Sequence, residues 1–395
     1  MPADAPSPDP ASRSDPVVPR RAPWWMKAIV LVVALALALV GAEFAVRAIP
    51  AQTLGFEYAD GEFAQPKEFD TDRTVNSLGF HDVEPGPKRD DVRRVLLFGD
   101  SYIGDVRHPI PQTPGRRLEH YLNARSPDQE YEVIAIGNGG WGQIDQINVW
   151  ETTGYKLKPD IVVTLMLTFN DILDNNPAMS RDAQSQKNEM VQPRPGRTNL
   201  TSENAPLFWV KGSRLNQLLS HRLARVGRAG GGDSIPLAYE VYALDESEAW
   251  AKAWKVTEDC VTHLSDDVRG RGGVCAIVTA STPHGVLGAK RGLEALQAAY
   301  PAMKDRRWDL DGPDLRVKTL CERHDIPFLR LESAFREATA AGRELHFKYN
   351  GHWNAEGNDF AASFMADFIL RIDHEHAAES ANRPGPKEIP VPADG

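Results

Sequence analysis

Four polar residues stand beside apolar segments, at positions where a sheet could bring them together. Ser101 comes after an apolar run that ends at Gly99, and Gly140 and Asn170 follow two later apolar runs. His352 stands just before the last helical pattern of the chain. A serine hydroxyl becomes an effective nucleophile when a base such as histidine accepts its proton. Backbone and amide N–H groups can then stabilise the oxyanion that forms, so these residue types are suited to nucleophilic acyl chemistry.

Each of these signals, taken alone, also has a simpler structural interpretation. The Gly-Asp-Ser sequence at 99–101 could be a turn that caps the next helix, and Ile103 distinguishes it from the G-x-S-x-G elbow of α/β-hydrolases. The glycine pair at 139–140 could be a tight strand-to-helix turn. Asn170 could cap the turn that follows it, and a single histidine such as His352 is more often structural. The combination of all four at strand ends favours a catalytic site.

Five short apolar runs predict the strands that would position these residues. Because the runs are apolar on both faces, they suit parallel strands covered by helices on each side. The runs occupy residues 93–99, 131–136, 160–168, 274–280 and 327–331. Helical patterns alternate with them at about 113–125, 142–157, 243–268, 287–300 and 313–325, and a last helix follows the potential N-cap Asn354. This alternation predicts one doubly wound α/β domain with a five-stranded parallel sheet.

An apolar stretch near the start predicts a transmembrane helix at residues 24–46. The Trp pair at 24–25 is suited to the headgroup region, and basic side chains precede the stretch. The positive-inside rule therefore predicts a single-pass membrane protein with a cytoplasmic N-terminus and an extracytoplasmic main domain, periplasmic or at the cell surface. A cleaved signal peptide, with the small residues at 40–42 near the cleavage site, is the main alternative. A buried core helix is favoured least.

The expected domain organisation has five parts, of which the α/β domain is by far the largest. They are a disordered tail at 1–23, the anchor at 24–46, a lead-in at 47–87, the domain at 88–375 and a disordered tail at 376–395. Residues 172–240 interrupt the strand–helix alternation after the third strand, where ligand-binding loops are found in such sheets. This insertion, with a predicted helix at 207–226, could cap a site or be a variable surface excursion.

Composition excludes several other classes of protein. The 395 residues carry a formal net charge of −10, which argues against a nucleic-acid partner. The three cysteines form no C-x-x-C pair and are typical of small buried side chains. The sequence Asp-His-Glu-His at 373–376 lacks metal-ligand spacing because residues i and i+2 do not share a helix face. His108 is interpreted as a surface-loop residue. No cofactor or metal is therefore expected.

The four polar residues and their order resemble the GDSL/SGNH hydrolase family, which is named for its Ser, Gly, Asn and His. The resemblance covers roughly residues 75–372 and includes the Asn-Ser-Leu-Gly-Phe lead-in at 76–80, which is similar to membrane-anchored bacterial members. It implies a flavodoxin-like three-layer α/β/α sandwich. It also implies that Ser101 is the nucleophile and His352 the general base. The Ser101 and Gly140 N–H groups and the Asn170 amide would then form the oxyanion hole.

One position departs from the family pattern. In the subgroup that the C-terminal motif resembles, which includes alginate O-acetylation proteins, an Asp stands two residues before the His, but here that residue is Asn350. An Asp normally fixes the histidine tautomer and stabilises the imidazolium. An Asn is neutral, but its amide oxygen can still accept a hydrogen bond from the Nδ1–H group. Three possibilities follow: a Ser-His-Asn enzyme, a slower Ser-His dyad, or an inactive relative.

The resemblance and the predicted export together imply an exported serine esterase that forms an acyl-enzyme on Ser101. Water would release the acid, or a sugar hydroxyl would accept the acyl group, as in a polysaccharide O-acetyltransferase. An O-acetylated carbohydrate is the expected class of substrate, and the acidic domain favours a neutral polymer over an anionic one. The alternative from another class is a catalytically inactive carbohydrate-binding relative.

A substitution at Asn350 distinguishes adaptation from loss of the site. We expect Asn350→Asp to leave esterase activity equal or higher, since a carboxylate fixes the same tautomer and also stabilises the imidazolium. Turnover of p-nitrophenyl acetate by the purified protein measures this effect. A large loss of rate with the fold intact would show instead that the amide itself is required.

Overall fold

The computed structural model describes residues 23–49, 57–59, 62–64, 68–183, 213–215, 218–219 and 235–382. The chain forms two compact units, one made of residues 1–64 and 201–222 and the other of residues 65–200 and 223–395. Residues 1–22 of the predicted tail at 1–23, residues 383–395 of the predicted tail at 376–395, and most of the insertion at 172–240 with its predicted helix at 207–226 lie outside the described residues.

The first unit contains a single long apolar helix. Helix α1 spans Trp24–Ala48, two residues further than the predicted end at 46, and it is long and apolar enough to cross a membrane. Its side chains are almost all exposed, which distinguishes it from the core helix of a soluble domain. A 2.7 Å ion pair between Glu43 and Arg47, one helical turn apart, shows that the helix continues through its charged end. Strands β1 (Glu57–Ala59) and β2 (Glu62–Ala64) pair antiparallel.

The second unit is built on a five-stranded, fully parallel sheet, as the apolar runs predict. Its strands are β3 (Val92–Gly99), β4 (Glu130–Gly137), β5 (Ile161–Met166), β6 (Val274–Thr279) and β7 (Phe328–Arg330). They lie in the order β4-β3-β5-β6-β7 with parallel pairing throughout. The order reverses direction at β3, and ligands bind such sheets at the carboxyl ends beside this switch point.

Alternating side chains of each strand enter two separate cores. On β3, Val95 and Leu97 join one hydrophobic cluster, while Leu96 and Phe98 join another on the opposite face. All four are fully buried. A strand buried on both faces needs apolar residues at consecutive positions, which is why these segments are continuous apolar runs.

Among the described residues of this unit, seven helices of nine or more residues cover the two faces of the sheet and complete the three-layer α/β/α sandwich. They are α2 (Pro114–Arg125), α3 (Gln143–Thr152), α4 (Glu248–Gly270), α5 (Ala289–Ala299), α6 (Gly312–Arg323), α7 (Glu332–Ala340) and α8 (Ala355–Asn382). Helices α2, α7 and α8 share one core, and α3 to α6 supply the cores of the other face. Helix α7 has no counterpart in the sequence prediction, and α8 continues past the predicted boundary at 375.

The structure shows the burial of the three cysteines and the surroundings of Asp373. Cys275 and Cys321 are buried and Cys260 is partly buried, all as free thiols. Asp373 is buried and forms an ion pair with Arg93. The expectation of a solvated helix end is therefore wrong for Asp373, because this carboxylate links α8 to β3.

Two glycines let the turn after β3 contact the end of β4. A Cβ on Gly104 would lie 2.5 Å from the carbonyl oxygen of Gly137. We expect Gly104→Ala to destabilise the fold by about 1–3 kcal/mol, because the two backbones must separate. Gly270→Ala, at the open end of α4, is the control and should change stability by less than about 1 kcal/mol. Urea unfolding compares the two, and equal effects would contradict the close contact.

Candidate active site

Ser101 lies on a tight turn directly after strand β3. The backbone N–H groups of Ile103 and Gly104 both donate to the carbonyl oxygen of Asp100, at 3.2 and 2.9 Å, and this closes the turn. The Ser101 hydroxyl oxygen lies 2.8 Å from Nε2 of His352, a residue 251 positions later in the chain. The structure therefore places the predicted nucleophile and the predicted base in hydrogen-bond contact.

His352 is presented by a short loop that precedes helix α8. The N–H of Phe347 donates to the His352 carbonyl oxygen at 2.8 Å, and the N–H of Gly351 donates back to Phe347 at 3.1 Å. Gly351 has φ +83°, a conformation that a side chain would disfavour. The ring of Tyr102 packs against the His352 ring at 4.8 Å between centroids. Backbone bonds and ring packing together restrict the orientation of the imidazole.

The second ring nitrogen of His352 faces the side chain of Asn350. Its Nδ1 atom lies 2.7 Å from Oδ1 of Asn350. An amide oxygen can only accept, so Nδ1 carries the proton and Nε2 keeps a lone pair toward Ser101. Burial, together with the charge of Arg107, lowers the pKa of His352 to about 3. The neutral imidazole is thus in the form that can accept the serine proton at neutral pH.

Asn350 makes further contacts that the sequence motifs do not indicate. Its Oδ1 atom also accepts a hydrogen bond of 3.0 Å from Nε of Arg107. The backbone N–H groups of Asn350 and Tyr349 donate to the carboxylate of Glu68, at 2.9 and 3.1 Å. Glu68 and Arg107 are far from Asn350 in sequence, and no local pattern marks either as a site residue.

The predicted oxyanion-hole residues lie at the same edge of the sheet as Ser101. Gly140 is exposed with φ +79°, in the loop after β4. A Cβ on the neighbouring Gly139 would lie 3.8 Å from the Ser101 Cβ. The Asn170 amide donates to Asp174 at 3.2 Å and also hydrogen-bonds with Asp100. Gly140 and Asn170 are thus connected to Ser101 through the adjacent residues Gly139 and Asp100, whereas His352 contacts Ser101 directly.

Two buried carboxyl groups, Asp100 and Asp171, interact with each other next to the turn that carries Ser101. Burial raises the pKa of Asp100, although the Tyr102 N–H and the Asn170 amide donate to it. Burial and the nearby Asp100 charge raise the pKa of Asp171 well above its ordinary value. Both shifts disfavour the charged carboxylates at this edge of the sheet.

His108 is a buried residue, so its assignment to a surface loop is wrong. It is 3% exposed, and its Nδ1 atom lies 2.5 Å from Oδ2 of Asp105. The Asn358 amide of helix α8 donates to the same carboxylate oxygen at 2.8 Å. Burial would raise the pKa of Asp105, but hydrogen bonds from His108 and Asn358 and the charge of Arg107 hold it below its ordinary value. Asp105 is therefore an ionised anchor between the serine turn and α8.

No family model matches the sequence, and no curated protein matches it. Among solved structures the chain is similar to an acetyl xylan esterase, with a TM-score of 0.38, 12% identity, and coverage of 71% of this chain and 98% of that one. A two-domain esterase active on acetylated mannans gives a TM-score of 0.39 and 11% identity, covering 77% and 54% of the two chains. A variant of an acetyl xylan esterase from Geobacillus stearothermophilus gives 0.37 and 13%, covering 70% and 94%. At such low identities, the chemistry of this chain is inferred from its own site residues.

The low pKa of His352 has a measurable consequence. We expect the imidazole to stay neutral down to about pH 4, well below the ordinary midpoint of 6.5. Histidine-selective NMR of the labelled protein, with His352→Gln to assign the signal, measures this midpoint. A titration near the ordinary value would contradict the buried, hydrogen-bonded geometry.

The same shift links His352 to acid stability. The unfolded chain takes up the proton near pH 6.5 and the folded chain only near about 3. Between these values the unfolded state binds more protons, so the free energy of unfolding falls as the pH is lowered. His352→Gln should therefore lose less stability than the parent chain when the pH is lowered from about 7 to about 4 in urea unfolding.

Proposed function

We propose that this protein is an exported, membrane-anchored serine esterase that hydrolyses acyl esters through Ser101 and His352. The observation that supports this best is the unbroken series of contacts from Ser101 Oγ to His352 Nε2 at 2.8 Å and from His352 Nδ1 to Asn350 Oδ1 at 2.7 Å. A nucleophile, a base and a group that orients the base form the minimal set for acyl transfer through a covalent intermediate.

In the proposed reaction, Ser101 Oγ attacks the ester carbonyl carbon while its proton passes to His352 Nε2. The C–O bond of the leaving alcohol then breaks, and that alcohol takes the proton from His352. A water molecule attacks the acyl-serine in the same way and releases the acid, which restores Ser101. The Ser101 and Gly140 N–H groups and the Asn170 amide are proposed to donate to the oxyanion in both halves.

The neutral Asn350 makes this a Ser-His-Asn arrangement. Its amide oxygen fixes the productive tautomer of His352, as the Asn does in Cys-His-Asn proteases. It supplies no negative charge to the imidazolium, and Arg107 lies close by. We therefore propose an enzyme that is correctly oriented but slower than a comparable Ser-His-Asp esterase.

The open position of the site supports a small acyl group carried on a larger molecule. Residues 138–140 and Asn350, which surround Ser101 and His352, are exposed. Ser101 itself is partly buried beneath this exposed rim. A partly accessible nucleophile can reach an acetyl group on a polymer surface, and water can reach the acyl-enzyme, which favours hydrolysis over transfer to a second sugar. The acidic chain favours a neutral O-acetylated carbohydrate over an anionic one.

Export is proposed from helix α1 and the charges that flank it. Arg20 and Arg21 precede the helix and Lys27 lies in its first turn. By the positive-inside rule these basic side chains favour a cytoplasmic N-terminus. The α/β domain would then meet its substrate outside the cytoplasm. An uncleaved helix keeps the enzyme at the membrane surface.

Ser101→Ala tests the proposal directly. We expect the full chain in detergent to hydrolyse p-nitrophenyl acetate and to release acetate from an acetylated neutral polysaccharide. Ser101→Ala should lower kcat by about 10³-fold or more, since the covalent route is lost. A fluorophosphonate probe should label the parent chain and leave Ser101→Ala unlabelled.

Ser333→Ala is the matched control, because this serine is exposed on helix α7 and far in sequence from the site. It should retain the parent rate and labelling. Equal rates for the parent and Ser101→Ala, with neither chain labelled, would reject the enzyme in favour of a carbohydrate-binding relative. Acetyl transfer to added sugar in place of free acetate would identify a transferase.

A further inference from the structure

We propose that Arg107 is a positioning residue that selects the orientation of the Asn350 amide, and so the productive tautomer of His352. This inference rests on the proposed esterase function. It concerns a residue that never contacts the ester and acts through Asn350.

An asparagine in this position creates an ambiguity that an aspartate does not. Both oxygens of a carboxylate accept hydrogen bonds, so either one can hold the Nδ1 proton. An amide presents an oxygen on one side and an NH₂ group of nearly the same shape on the other. If the NH₂ group faced His352, the ring proton would move to Nε2, which could then no longer accept the proton of Ser101.

Arg107 removes this ambiguity because its Nε–H can only donate. Nε lies 3.0 Å from Asn350 Oδ1, the same atom that lies 2.7 Å from His352 Nδ1. Both lone pairs of the amide oxygen are thus used by donors. Rotating the amide by half a turn would place NH₂ protons against the guanidinium and would break both hydrogen bonds at once.

The guanidinium is itself held in place by the serine turn. Nη1 of Arg107 donates to the Ser101 carbonyl oxygen and to Oδ1 of Asp105, each at 3.0 Å. The Arg107 side chain is 11% exposed and that of Asp105 is 3% exposed. The two hydrogen bonds from Nη1 fix the plane of the guanidinium, and because Nε–H lies in that plane, its direction is fixed as well. The orientation of the base is therefore set from the same turn that carries the nucleophile.

The charge of Arg107 and its geometry act on His352 in opposite directions. Its positive charge adds to burial in lowering the pKa of His352, while Asp105 partly offsets it. If Arg107 acted only through its charge, it would slow proton uptake by His352, so removing it would speed the reaction. If Arg107 acts through orientation, removing it slows the reaction. A substitution that removes the guanidinium can separate these two roles.

The test is the effect of Arg107→Met measured with and without Asn350→Asp, in the full chain in detergent. We expect Arg107→Met alone to lower kcat for p-nitrophenyl acetate by about two- to tenfold, with KM changed less than about twofold, because only the fraction of molecules with the productive tautomer would react. In the Asn350→Asp background the same change should leave kcat unchanged or higher, because a carboxylate needs no orientation.

Two further readouts separate positioning from support of the fold. Arg107→Lys keeps the charge but lacks the planar fork, so it should stay slow in the Asn350 chain and recover with Asn350→Asp. The acidic limb of the kcat/KM profile should move to higher pH in Arg107→Met, since a positive charge near His352 is gone. Thermal unfolding shows which variants remain folded.

An equal loss of kcat in both backgrounds would overturn the proposal, as would an Arg107→Met chain that keeps the parent rate. The same two results from Arg107→Lys decide the matter if Arg107→Met fails to fold. Failure of the esterase function itself is recognised separately. In that case the parent chain and Ser101→Ala show the same rate before any Arg107 variant is compared.

Discussion

The hydrogen bond between Ser101 and His352 connects residues from the first strand and the last loop of the α/β domain, so most of the fold must be in place before it can form. Its geometry depends on how helix α8 is attached beside α2. Asp359 of α8 accepts hydrogen bonds of 2.6 Å from Arg117 and 2.7 Å from Tyr121, both on α2. The Asn358 amide, on the same helix turn, donates to Asp105, which directly follows the turn that carries Ser101. The loop that carries His352 is thus held beside the turn that carries Ser101 by polar contacts as well as by apolar packing.

The site achieves its order mainly through hydrogen-bond direction rather than through charge. His352 is neutral, its partner Asn350 is neutral, and the nearby guanidinium of Arg107 is paired with Asp105 at 3.0 Å. Burial pushes Asp100 and Asp171 toward their protonated forms. Proton transfer to His352 therefore creates a new charge in a region with little opposing charge at Nδ1. A fixed orientation can lower the entropic part of the barrier, but it leaves this electrostatic part largely in place.

The strands could be predicted from sequence because their signals are local, whereas the pairing of Ser101 with His352, 251 residues apart, could be predicted only through the resemblance to a family pattern. A run that is apolar on both faces, such as the one preceding Ser101, specifies a buried parallel strand without reference to the rest of the chain. Helix α7 was missed because its nine residues contain few buried positions, chiefly Glu332 and Phe335. Arg107 and His108 were missed for a different reason. Both contact the nearby Asp105, but the partners that show their place in the site, Asn350 for Arg107 and Asn358 for His108, lie 243 and 250 residues away. Side-chain pairs at such separation leave no local pattern.

The contact of Glu68 with the His352 loop bears on where an independently folding piece of this chain begins. The carboxylate accepts hydrogen bonds from the N–H groups of Tyr349 and Asn350. Glu68 nevertheless lies well before residue 88, the predicted start of the domain. Further along this segment, the Asp82 carboxylate accepts the N–H of Ala135 in the sheet at 2.8 Å. A recombinant fragment cut at 88 would lose both attachments. Residues 68–87 are thus an integral part of the α/β domain.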